Sequence, residues 1–221
     1  MATGMDVQLY DRYTQALLNL DKPTCVTLAL DALDSGAVGI VDLYQKILSP
    51  ALNTIVTAEL NTQDAIWKEH VRSEITRTVI ECCYPHVLKE ARAGGPAGRA
   101  GKVMIVLPAE EFHELGARMG ADFFLINGFN ALFVGSNTPR EEILSGIAHF
   151  QPDYIDIHVV NYYNLFKAKT LVQQIHDRNP QVKILASGYA FCQDPGQAAK
   201  IGQVRLIQSF ADIVSLREDQ V

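Results

Sequence analysis

At 221 residues, 48% of them hydrophobic, the chain is long enough for one large domain or two small ones with a true core. A net charge of −6 lacks the basic footprint that direct nucleic-acid binding needs, and no helix-turn-helix or zinc-finger pattern offsets it. No apolar run reaches the ~18 residues of a membrane span, and the first ten residues show no secretory pattern, so a cytoplasmic protein is expected.

The first third reads as helices alone. Leu9, Tyr10, Tyr13, Ala16, Leu17 and Leu20 recur at helical spacing until Asp21-Lys22-Pro23-Thr24 breaks the pattern. A second helix is expected over 26–33, ending at Ser35-Gly36, where glycine can take the left-handed cap conformation. The third carries Ile40, Leu43, Tyr44, Ile47 and Leu48. Ser49-Pro50 then reads as an N-cap and a first-turn proline that restarts the helix into Ala51, Leu52 and Ile55. A long fourth helix begins near Asn61 or Thr62 and reaches at least Cys83, with Pro85 as a kink or stop. Four helices with short connections suggest an antiparallel bundle over residues 1–93. None of Cys25, Cys82, Cys83 and Cys192 forms a CxxC pair, and the four are read as reduced, buried thiols.

Residues 94–101 are dense in glycine and read as a linker. They end in Gly101-Lys102 but are no phosphate loop: Pro96 stands at the first glycine position, Val103 follows the lysine, and the segment precedes a strand. Residues 102–221 then alternate strand and helix. Apolar runs at 103–107, 131–134, 154–157 and 182–185 read as buried parallel strands. Helical stretches are expected over 114–126, 140–150 and 165–177, and a weaker strand–helix pair over 195–216. The class is α/β: a flavodoxin- or Rossmann-like, doubly wound, parallel five-stranded sheet behind a helical cap. Ligands of such sheets bind beyond the carboxyl ends of the strands.

Just past the first strand comes Glu111-Phe112-His113-Glu114-Leu115-Gly116. A histidine there stands at the mouth of the crevice, with a carboxylate two residues earlier to fix its tautomer. Gly116 leaves room for a bulky planar ligand beside the next helix. The segment resembles the cobalamin-binding motif Asp-x-His-x-x-Gly, with Glu111 in place of the aspartate. Gly128-Phe129, Gly135, Pro139-Arg140-Glu141-Glu142 and Pro152-Asp153 resemble the same family in order. The resemblance implies that His113 is the lower axial ligand of cobalt, displacing the cofactor's dimethylbenzimidazole, and that the nucleotide tail enters a pocket of the same domain. Two departures stand out. The family's Ser-x-Leu stretch, which lines that pocket, falls on His158-Val159-Val160, and its Gly-Gly falls on Ser187-Gly188. Glu111, one methylene longer than aspartate, is expected to reach His113 through an altered or water-mediated bond.

The helical part also resembles the family's cap. Leu48-Ser49-Pro50-Ala51-Leu52 and Ile55 match it, and Glu69-His70 match a pair in adenosylcobalamin light sensors, where His70 would stand as an upper ligand. The tryptophan of those sensors aligns with Glu59; Trp67 lies one turn before His70 on the same face. The family implies adenosylcobalamin or methylcobalamin as cofactor and two main roles. The preferred role is a light- or ligand-responsive sensor, no enzyme by itself, whose changed surface a regulator or output domain reads. The alternative is a methyl carrier, whose cobalt separate methyltransferases load and unload. A cofactor-free interaction module is a third alternative, and a homo-oligomer is compatible with each. The cluster Asn161-Tyr162-Tyr163-Asn164 is expected to face the cofactor tail or a second planar ligand. His86, His149 and His176 read as surface residues.

Overall fold

The computed structural model describes residues 4–53, 65–95 and 98–218. Ile55, Glu59, the expected start of the fourth helix at Asn61 or Thr62, and Pro96 lie outside them. The chain divides into two compact units, Met1–Glu90 and Ala91–Val221. No described helix is long and apolar enough to cross a membrane.

In the first unit, α1 (Gly4–Leu18) buries Tyr13, Ala16 and Leu17. Helix α2 (Lys22–Asp34) begins earlier than the apolar pattern alone implies, because the Asp21 carboxylate caps it. It accepts the Thr24 N–H at 3.1 Å and the Thr24 hydroxyl at 2.7 Å, and Pro23 fits the first turn. Helix α3 (Ile40–Asp42) passes directly into a π-helix (Leu43–Leu48), and 49–53 remain helical. Ser49 is therefore no N-cap. Its backbone is helical and its N–H reaches back five residues to the Tyr44 carbonyl, so a widened turn accommodates Pro50, which has no N–H to give. Helix α4 (Ala65–Ala93) runs through Pro85 without stopping. Cys25 and Cys83 are buried as expected, whereas Cys192, in the second unit, is exposed.

The second unit holds five parallel strands in the order β2-β1-β3-β4-β5. They are β1 (Lys102–Pro108), β2 (Asn130–Thr138), β3 (Tyr154–His158), β4 (Lys183–Ser187) and β5 (Arg205–Ile207). Helices α5 (Leu115–Ile126) and α10 (Phe210–Glu218) carry the apolar residues that cover one face. On the other lie α6 (Arg140–Phe150), α7 (Leu165–Arg178), α8 (Tyr189–Gln193) and α9 (Gly196–Ile201). The run expected as a linker is packed at its end. Ala100 is in the core, and Gly101 sits at φ +94° where a Cβ would press 2.8 Å from an Asp153 carboxylate oxygen.

Candidate functional site

Beyond β1 the chain leaves the sheet through a turn held on both sides. Glu110 has φ +68°, a costly conformation for a residue with a side chain. Its N–H donates to Asn137 Oδ1 at 2.8 Å, and the Asn137 N–H donates to the Glu111 carbonyl at 2.9 Å. The Lys167 ammonium adds a bond to the Ala109 carbonyl and an ion pair with Glu110. This turn sends Glu111 into the interior, fully buried, while Phe112 and the His113 side chain stand 61% and 59% exposed at the rim.

The Glu111 carboxylate is the hub of the loop. Oε1 accepts the His113 N–H at 3.2 Å and lies 2.7 Å from His113 Nδ1. Oε2 accepts the N–H groups of Val160 at 3.1 Å and Asn161 at 2.9 Å, and the Asn164 side-chain amide at 3.1 Å. Burial raises a carboxyl pKa, but the bonds from His113, Asn161 and Asn164 outweigh it and hold Glu111 down at about 2. A carboxylate on Nδ1 keeps the ring proton there and places the lone pair on Nε2. Of the two alternatives expected for the Glu111–His113 bond, an altered contact or one through water, the structure shows a direct one. The longer side chain spends its reach on a second set of partners, the backbone after β3.

A second polar cluster lies behind the first. Tyr154, Asp156 and His158 alternate along β3 on the face turned to α5, and Ser187 sits beside His158 on β4. The Ser187 hydroxyl donates to Asp156 Oδ2 at 2.8 Å and lies 2.9 Å from His158 Nδ1, from which it accepts. Asp156 Oδ1 is buried with no hydrogen-bond partner. Burial pushes the Asp156 carboxyl up to about 7, against the Ser187 bond. Burial likewise takes the His158 imidazole down to about 4, with Glu111 opposing and His113 reinforcing the change.

The glycines serve this packing. A Cβ on Gly116 would meet His158 Cε1 and Nε2 at 3.2 Å, so the missing side chain leaves room for that imidazole. Gly188, at φ +102°, lies against the Val159 backbone, whose carbonyl oxygen a Cβ would overlap. Val160 contributes its N–H to Glu111.

In the first unit, Trp67, Glu69 and His70 share α4. Trp67 is 51% exposed with the Lys68 ammonium 5.9 Å from its ring centre, Glu69 accepts the Ser73 hydroxyl at 2.8 Å, and His70 is exposed. His86 pairs with Asp34 at 3.3 Å, a contact the surface reading did not include.

Two roles lie beyond the local sequence pattern. Asn164, expected to face the cofactor tail, turns its amide inward to Glu111. Asp156 is signalled only as a charged residue in the middle of an otherwise apolar strand. Among the described residues, no cluster of three or more His, Cys, Asp or Glu side chains can hold a metal ion. A single oriented histidine does fit a metal whose remaining donors come from a macrocycle.

Residues 101–214, more than half of the chain, match the model of the family described as the B12 binding domain. Over 141 residues the chain is 23% identical to monomethylamine corrinoid protein 1 of Methanosarcina mazei. That match covers 64% of this chain and 63% of the relative, so it spans less than two thirds of the relative's length. The fold is that of the monomethylamine corrinoid protein of Methanosarcina barkeri, with a TM-score of 0.81 at 17% identity over 98% of this chain and all of the other. A cobalamin-binding protein from Desulfitobacterium hafniense follows at a TM-score of 0.50 and 15% identity, covering 97% and 99%.

Proposed function

This chain belongs to the B12 binding domain family, and from that premise we propose that it is a corrinoid methyl carrier with His113 as the lower axial ligand of cobalt. The corrinoid, when bound, supplies a cobalt centre that takes up and releases a methyl group. What the protein supplies is the ligand and its control. Glu111 fixes the His113 tautomer, leaves the basic lone pair on Nε2 and raises the basicity of the ring. The bonds from Val160, Asn161 and Asn164 keep that carboxylate in place and ionised. Phe112 offers an apolar surface beside the ligand. Reaction partners would be separate methyltransferases, a reading supported by the similarity to a monomethylamine corrinoid protein.

The observation that carries the reading is the 2.7 Å bond between the buried Glu111 and the rim-exposed His113. His113→Ala should leave the fold intact by circular dichroism yet weaken corrinoid binding by at least ~10-fold, since losing even a ligand's outer-shell partner costs ~10–100-fold. Unchanged affinity would overturn the assignment. The sensor reading rests on Glu69-His70 of α4, and the relatives favour the carrier over it. Illumination of adenosylcobalamin-loaded protein separates the two: a carrier keeps its hydrodynamic size, whereas a size change on illumination returns the sensor.

A further inference from the structure

We propose that Asp156, His158 and Ser187 determine which lower base the bound corrinoid carries, favouring a base with hydrogen-bonding groups, such as adenine, over dimethylbenzimidazole. The inference rests on His113 being the lower ligand. Cobalt has one lower position. If an imidazole of the protein takes it, the base tethered beneath the corrin is displaced and must lie on the side of the ring that His113 occupies.

The side chains behind His113 on that side are polar. The Glu111 oxygens are already engaged by His113, Val160, Asn161 and Asn164. Next to them comes the Asp156–Ser187–His158 chain, 3%, 8% and 6% exposed. His158 stands across from Gly116, three residues beyond His113. A sheet needs no such groups for its stability, since the opposite face of the same strand is wholly apolar. Asp156 Oδ1, buried and without a partner, is an atom in want of a donor.

The two kinds of base answer that want differently. Displaced dimethylbenzimidazole offers one acceptor nitrogen and two methyl groups, and no donor to a carboxyl oxygen. Adenine has an exocyclic amino group with two donor hydrogens and several ring acceptors. A site built to hydrogen-bond discriminates strongly against an analogue lacking the group, because its own polar atoms are then left unpaired.

The test titrates the full chain with three purified corrinoids: one with an adenine base, one with dimethylbenzimidazole, and base-free cobinamide. Affinity and visible spectrum are read together. The adenine form should bind at least ~10-fold tighter than the dimethylbenzimidazole form, the ratio that about one net hydrogen bond supplies. Ser187→Ala and Asp156→Leu should narrow that ratio and leave cobinamide binding unchanged. Equal affinity for the two complete corrinoids overturns the inference. So does cobinamide binding tighter than both, which would make His158 a plug. Failure of the underlying reading looks different: all three corrinoids, cobinamide included, would then bind without any His113-dependent spectral change.

Discussion

Along β3, side chains alternate between two surroundings that follow different rules. Ile155, Ile157 and Val159 enter an apolar layer with Ile143 and Ile147 of α6, Leu171 and Ile175 of α7, and Phe191 of α8. Tyr154, Asp156 and His158 face α5, where an apolar base near Phe124 and Phe129 gives way to polar groups toward the carboxyl end of the strand. Burying Asp156 and His158 is costly compared with two more isoleucines. The difference teaches that one face of the sheet is spent on stability, and the end of the other is held open to a ligand's demands.

The largest effect should come from exchanging the rules. Ile157→Asp puts an unpaired carboxylate into the apolar layer and should cost about 4 kcal/mol or more, whereas Asp156→Leu, one residue away, should change stability by no more than about 1 kcal/mol. Urea titrations of both variants measure this; a similar loss at the two positions would remove the distinction between the faces. A smaller loss, about 3 kcal/mol, is expected for Gly188→Ala, where a left-handed backbone meets the Val159 carbonyl. A melting temperature equal to the parent's would show that β4 and the loop after β3 can separate freely.

The smallest effect concerns pH. Asp156, raised to about 7, contributes stability that is full below its ordinary range and is lost as pH rises through 7. His158, lowered to about 4, contributes stability that is full above its ordinary range and is lost as pH falls through 4. Between about pH 4 and 6.5 the two slopes oppose each other, and the parent should be nearly flat in their joint contribution. His158→Asn should then gain stability on acidification relative to the parent and Asp156→Asn should lose it, each by about 1 kcal/mol per pH unit. Matching pH profiles for the three proteins would show that the cluster does not titrate in this way.

Much of this architecture was legible in the chain itself. The runs at 103–107 and 154–157 and the helices at 140–150 and 165–177 could be placed because burial on both faces writes a continuous apolar strand, and a half-buried helix writes a 3.6-residue stripe. The motif around His113 was equally plain, because its spacing is local. Less legible were Ser49-Pro50, where a π turn replaced the expected cap, and Asp21, whose capping bonds extended α2 backwards. In both, a hydrogen bond of the folded backbone overruled the letter pattern.

The amino-acid order by itself thus determined the strands, the helices and the presence of a carboxylate two residues before a histidine, since each depends on neighbours along the chain. Only the tertiary structure decided that Glu111 is held by Val160, Asn161 and Asn164, that Gly116 makes room for His158, and that Ser187 joins His158 to Asp156. Those partners lie 29 to 53 residues apart. Distances of a few ångströms across such separations are set by strand register and by the packing of α5 on the sheet, and no local pattern encodes them.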